Sequence, residues 1–151
     1  MIPALNNYFL EKKQMNNYIP LLARILLSAI FLWSGLGKIM DFTGTQQQMA
    51  AIGIPLTGLF TVSAIVFELV GGLLVLLGYQ ARWGAIALVA FLFPTTLIFH
   101  TNFAEPMQVI QFLKNLAILG GLLMVAYFGS GPVSLDAGTN SHNAAKRNAE
   151  F

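Results

Sequence analysis

The sequence predicts an all-α, polytopic membrane four-helix bundle with both termini in the cytoplasm, and three observations carry that prediction. First, 56% of the 151 residues are hydrophobic and only 9% are charged, against about 25% charged in an ordinary soluble domain. Second, four apolar runs, at about 20–40, 55–77, 82–100 and 106–128, come close to or exceed the roughly 20 residues a helix needs to cross a bilayer. Third, Lys12, Lys13, Arg82, Lys146 and Arg147 all fall on the side of the termini, and such an excess of positive charge marks the cytoplasmic side. A net charge of +2 without a basic cluster gives no support to a nucleic-acid partner. With no cysteine, the chain has no disulfide, thiolate metal site or iron–sulfur ligation of its own.

Residues 1–18 are polar and are expected as a solvated tail rather than as a short interfacial helix built on Leu5, Phe9 and Lys12. Pro20 suits the first position of the first span, where its missing N–H would be unpaired anyway. No A-x-A-like cleavage site follows, so this span is expected to be an uncleaved anchor. Along it, Arg24, Ser28, Phe31, Gly35 and Lys38 step by four, three, four and three, a stripe that faces protein. Taken singly, Arg24 and Lys38 read equally as side chains snorkelling to the two interfaces. Residues 41–55 form a loop in which Thr45 and Gln48, at capping-box spacing, predict one or two turns of helix on the membrane, stopped by Gly53.

The second span ends at Gly78, and residues 79–82 make a tight cationic connection. The third contains Pro94, with Thr95 and Thr96 hydroxyls nearby to re-pair backbone at the expected kink, and its pattern puts Val89, Phe93, Thr96 and His100 on one face. In the fourth, Lys114 shares a stripe with the small residues Ala117 and Gly121. Residues 129–151 lack apolar periodicity and are expected as a flexible tail, leaving 19–128 as the transmembrane domain. Tyr18, Tyr79, Trp83 and Tyr127 then form an aromatic belt at the cytoplasmic interface.

Glu68 lies in the middle of an otherwise apolar run. A carboxylate at that depth costs a few kcal/mol in lipid and must face protein, and Ala64, Gly71 and Val75 share its face. Its expected partner in a buried polar link is Arg24, whose guanidinium can hold a carboxylate through two parallel hydrogen bonds, with Lys114 as the alternative. A pair that only fixes helix register is the plain structural reading. Near the outer surface Lys38, His100, Lys114 and Asn115 gather hydrogen-bond donors, with little acidic counterweight besides Asp41 and Glu105. Such a cluster suits a quinone carbonyl or a small anion, although His100 alone reads as an interfacial histidine bonded to water or backbone. His142 lies in the tail, so bis-histidine haem ligation within the bundle is excluded, and no spacing supports a metal site. Ile19-Pro20-Leu21 and Ser28-Ala29-Ile30 recur as Ile54-Pro55-Leu56 and Ser63-Ala64-Ile65, a faint inverted repeat of the kind some transporters carry.

Arg24, Ser34-Gly35-Leu36-Gly37-Lys38, Gly53-Ile54-Pro55, Glu68 with Gly71-Gly72, Leu77-Gly78 ahead of Arg82, His100, Lys114-Asn115 with Gly120-Gly121, and Ser134-Leu135-Asp136 together resemble the DoxX family over residues 21–136. The resemblance implies a four-helix protein of the bacterial cytoplasmic (inner) membrane, with relatives linked to quinone-coupled oxidation of sulfur compounds and to membrane oxidoreductase complexes. It carries over no catalytic role to any residue here; the expected cofactor is quinone, with none held covalently. The expected function is a quinone-interacting subunit associated with a membrane oxidoreductase. Lys114 and His100 would meet the quinone or anion head group, Lys38 would add positive potential, and the bilayer and other redox subunits or a second copy would be partners. An accessory or assembly subunit, and a small-anion or proton transporter, are the alternatives.

Overall fold

A backbone in lipid has no water to pair its N–H and C=O groups, so each apolar run closes its hydrogen bonds internally as a helix. The computed structural model describes residues 2–139, with side chains from residue 17. Its elements are α1 (Ile2–Met40), α2 (Phe42–Ala51), α3 (Thr57–Leu77), α4 (Ala81–Phe99) and α5 (Pro106–Phe128). Four stretches have the length and apolarity of membrane spans: Asn17–Met40 within α1, then α3, α4 and α5. The described residues are thus all-α with four spans, as the sequence predicts. α1 packs along α3, α3 along α4 and α4 along α5, and α5 returns to α1 over a shorter stretch. α2 packs on α3 where α1 stops and α3 begins. That end of the bundle is here the α2 end, and the opposite one the terminal end.

The expected stripe on α1 is buried at Arg24, Ser28, Phe31 and Gly35, and the one on α3 at Ala64, Glu68, Gly71 and Val75. The faces of the last two spans are rotated from expectation. On α4 Phe93 is exposed, and the buried row is Ala81, Ala85, Leu88, Leu92 and Thr96. On α5 Lys114 and Ala117 are exposed, and Asn115, Leu119, Leu122 and Val125 are buried. Lipid is as apolar as leucine, so both sides of a spanning helix are hydrophobic and hydrophobicity does not mark the packed one. The core of Val75, Ala81, Ala85, Leu88 and Leu122 lies toward the terminal end. α3 and α4 meet there almost backbone to backbone: a Cβ on Gly84 would lie 3.2 Å from the Gly71 carbonyl oxygen.

Three local expectations are corrected. Helix α1 begins at Ile2 rather than at Pro20, which therefore sits inside it. Good helix formers fill residues 10–15, and the carbonyl that Pro20 leaves unpaired, that of Asn16, falls just before the span. The side chains of Leu5, Phe9 and Lys12 lie outside the described ones. Helix α2 starts earlier than the Thr45 capping box, because Asp41 is the N-cap and accepts the Gly44 N–H at 3.0 Å, while the Thr45 hydroxyl donates to the Asp41 carbonyl. Around Pro94, the Thr95 and Thr96 hydroxyls donate not to the Ala90 carbonyl that the proline leaves unpaired but each to a carbonyl one turn before itself, Phe91 and Leu92 at 2.7 Å.

Candidate functional site

The terminal end is organised by Arg24. The residue is 1% exposed; its guanidinium donates from Nη1 to the Val75 carbonyl at 3.4 Å and from Nη2 to that of Val133, while Nε has no partner among the described residues. Gly78 makes room for it. The residue closes α3 in the left-handed region at φ 66°, and a Cβ there would run into the guanidinium and Ser134. Residues 129–139, expected as part of a flexible tail, are instead seated on this end. The Asp136 N–H donates to the Gly78 carbonyl at 3.0 Å, and its carboxylate accepts the Gln80 and Ala81 N–H groups at 2.8 and 3.4 Å. A side chain far along the chain thereby caps α4, whose own N-cap residue Gln80 makes no side-chain cap. The expectation for residues 140–151 lies outside the described residues.

Glu68 does not meet Arg24. Its carboxylate is held from α1 by Lys38 Nζ, at 2.9 Å to both oxygens, and by the Ser34 hydroxyl at 3.1 Å. Lys38 also donates to Ser34 at 2.7 Å, so all three groups form one closed cluster. The spacing explains it: Ser34 and Lys38 are one turn apart on the same face of α1. Gly35 between them lets α3 approach, since a Cβ there would be 3.3 Å from that of Glu68. This is the one ion pair among the described residues. Lys38 therefore neutralises Glu68 and does not stand as the free positive charge the sequence reading expects.

Two recesses adjoin this pair. The larger, about 630 Å³, lies among α2, α3, α4 and the end of α1, with Phe60, Phe67, Phe91, Phe99 and Pro94 in its walls. Phe67 and Phe91 stack nearly parallel at 5.9 Å between centroids, giving it a flat aromatic side. Phe60, Phe67 and Ile98 are also exposed, so it opens sideways where lipid tails would lie. The smaller, about 240 Å³, is bounded by Lys38, Glu68, His100, Gln111, Lys114 and Asn115. Lys38, Glu68, Phe91, Thr95 and His100 border both.

Of the residues singled out in the sequence, Lys38, Glu68, His100, Lys114 and Asn115 are thus brought together, and Arg24 is not. His100 Nδ1 pairs with Gln108 Oε1 at 3.0 Å. Asn115 is buried and donates to the Thr96 hydroxyl at 3.0 Å, which ties α5 to α4. Lys114 is exposed with no hydrogen bond or ion pair among the described residues. Asp41 and Glu105 are occupied locally, by Gly44 and by Asn102. With the Lys38–Glu68 charges cancelling, Lys114 leaves the smaller recess one positive charge. Gln108, Gln111 and the Phe67–Phe91 stack carry no signal in the sequence, and Ser34 stands there only within the family motif, although its place one turn from Lys38 could have put it beside Glu68.

The model of the DoxX family matches residues 19–101. Inner membrane protein YqjF of Escherichia coli (strain K12) is 40% identical over 124 residues, covering 82% of this chain and 94% of that protein. Inner membrane protein YphA of the same organism is 36% identical over 121 residues, covering 77% of this chain and 86% of that one. No solved structure matches significantly. The four spans and these two relatives agree on an inner-membrane location. A family model over more than half of the chain, together with two relatives matched along most of their length, makes this protein a member of the DoxX family.

Proposed function

We propose that this protein is a quinone-binding membrane subunit associated with an oxidoreductase, and that the α2 end of the bundle holds the quinone. The observation that carries the reading is the meeting of an apolar, aromatic-walled recess with a donor-rich one at a shared wall of Lys38, Glu68 and His100. The donor set fits the group: a quinone offers only acceptor oxygens on a flat apolar ring. Lys114 would donate to a carbonyl oxygen, His100 lies beside it with a ring held by Gln108, and the wall that holds Phe67 and Phe91 offers apolar surface to the rest of the molecule. When bound, a quinone supplies reversible two-electron, two-proton redox chemistry. The chain's own residues bind and orient it, and the Lys38–Glu68 pair keeps a buried carboxylate paired beside it.

A site open to lipid at one end, with Arg24 and the 129–139 segment filling the other, favours binding over a path through the bundle, and so ranks transport second. The lysine and arginine distribution supports a cytoplasmic terminal end. A fluorescent protein fused after Phe151 should light up there, and a dark fusion with an active periplasmic reporter at the same point contradicts this orientation. The binding role is tested by titrating a soluble quinone analogue into nanodisc-embedded protein. Lys114→Met is expected to weaken affinity by roughly tenfold or more, the loss of a hydrogen bond from a charged donor. Unchanged affinity removes Lys114 from the head-group site.

A further inference from the structure

The two recesses differ in what they can hydrogen-bond. In the larger, the Thr45 and Thr95 hydroxyls already donate to the Asp41 and Phe91 carbonyls, and most of the remaining wall is hydrocarbon. In the smaller, Lys114 has no partner among the described residues, and Gln111 and His100 stand beside it. At about 240 Å³ the smaller space falls below the usual range of a small-molecule pocket, roughly 300–1,000 Å³, and suits a ring system without its substituent. The larger, at about 630 Å³, lies within that range and offers a polar head the Gln48 amide and the Ser63 hydroxyl but no unpaired charge such as Lys114.

Resting on the quinone reading, we propose that the two recesses are one site for a long-chain quinone: the ring beside Lys114 and His100, and the apolar chain along the Phe67–Phe91 stack. The ligand passes the shared wall at Lys38, which stands in the last turn of α1 on a long flexible stem and is only partly buried. The chain carries a consequence for specificity. Lipid already solvates a hydrocarbon tail, so burying it in protein adds packing rather than a hydrophobic drive. The tail therefore fixes where the ligand sits more than how tightly it binds, and the test must read position.

The sequence contains no cysteine, so single-cysteine variants report cleanly. Gln111→Cys places a thiol in the smaller recess and Ser63→Cys places one in the larger. Each variant, in nanodiscs, is treated with a methanethiosulfonate reagent in the presence of tetramethyl-1,4-benzoquinone, which has no tail, or of decylubiquinone, which does. The expected result is that both quinones slow modification of Gln111→Cys several-fold, and only decylubiquinone slows that of Ser63→Cys. If decylubiquinone protects Gln111→Cys alone, the tail lies in lipid and the proposal is overturned. If the tail-less quinone protects Ser63→Cys as well as the tailed one does, the ring occupies the larger recess and the proposal is again overturned. Protection of neither position by either compound overturns the quinone reading itself, and the tail placement with it.

Discussion

Glu68 shows how a single ionisable residue in a membrane helix sets the terms for its neighbours. Only 6% of its side chain is exposed, and both carboxylate oxygens are held by Lys38. Removing one partner of such a pair leaves a buried charge unpaired, whereas replacing both with apolar residues removes the problem. Lys38→Met is therefore expected to destabilise the folded protein by about 3–5 kcal/mol, and Lys38→Met combined with Glu68→Leu to recover most of that loss. Thermal unfolding in mild detergent checks both. A double variant no more stable than the single one would mean that the pair is not what Glu68 requires. At this scale the sequence revealed that Glu68 needed a partner but pointed to Arg24. Lys38 closes the stripe of α1 that faces protein, but at a helix end it reads equally as a snorkelling side chain, and the stripe does not say which acid it meets. Arg24 misled for a different reason: the acceptors that its Nη groups meet are the backbone carbonyls of Val75 and Val133, which side-chain patterns do not report.

Helix ends and helix faces behave differently. The four spans were legible because length and apolarity are properties of the run itself; the start of α1 was not, because its helix runs on from Ile2 through polar residues ahead of the apolar run. Which face each span buries was legible on α1 and α3, where charged, hydroxyl and small residues line up at helical spacing. It was not legible on α5, where Lys114 and Asn115 are adjacent in sequence and only the second is buried. The cap of α4 was hidden as well, because it comes from Asp136, 56 residues beyond Gln80. Ser134-Leu135-Asp136 stood out in the sequence only through a family likeness. Asp136→Ala should remove that cap and the charge next to Arg24, at about 1 kcal/mol for the lost cap. It should also speed proteolytic cleavage within residues 129–139. A cleavage rate equal to that of the unaltered protein would show that this segment is held by other contacts.

For the molecule as a whole, the two ends are packed differently. The terminal end is packed around Val75, Ala81, Leu88 and Leu122, and is closed by Arg24, Gly78 and the 129–139 segment. At the α2 end, α1 and α5 leave room for the smaller recess, and α2 helps to wall the larger. On the proposed reading, a bundle tight at one end and hollow at the other would take a ligand from lipid without opening a path across the bilayer. Thr95 borders both recesses and is half-buried, so Thr95→Phe fills space on each side of the Lys38–Glu68 wall. The decisive measurement is the quinone that stays with the protein when it is drawn from its membrane inside a patch of native lipid. Unaltered protein is expected to hold quinone well above the content of the surrounding lipid, and a Thr95→Phe variant with the same elution profile to hold no more than that lipid does. Equal quinone in the two preparations, at the level of the lipid alone, would contradict a quinone site in this half of the bundle.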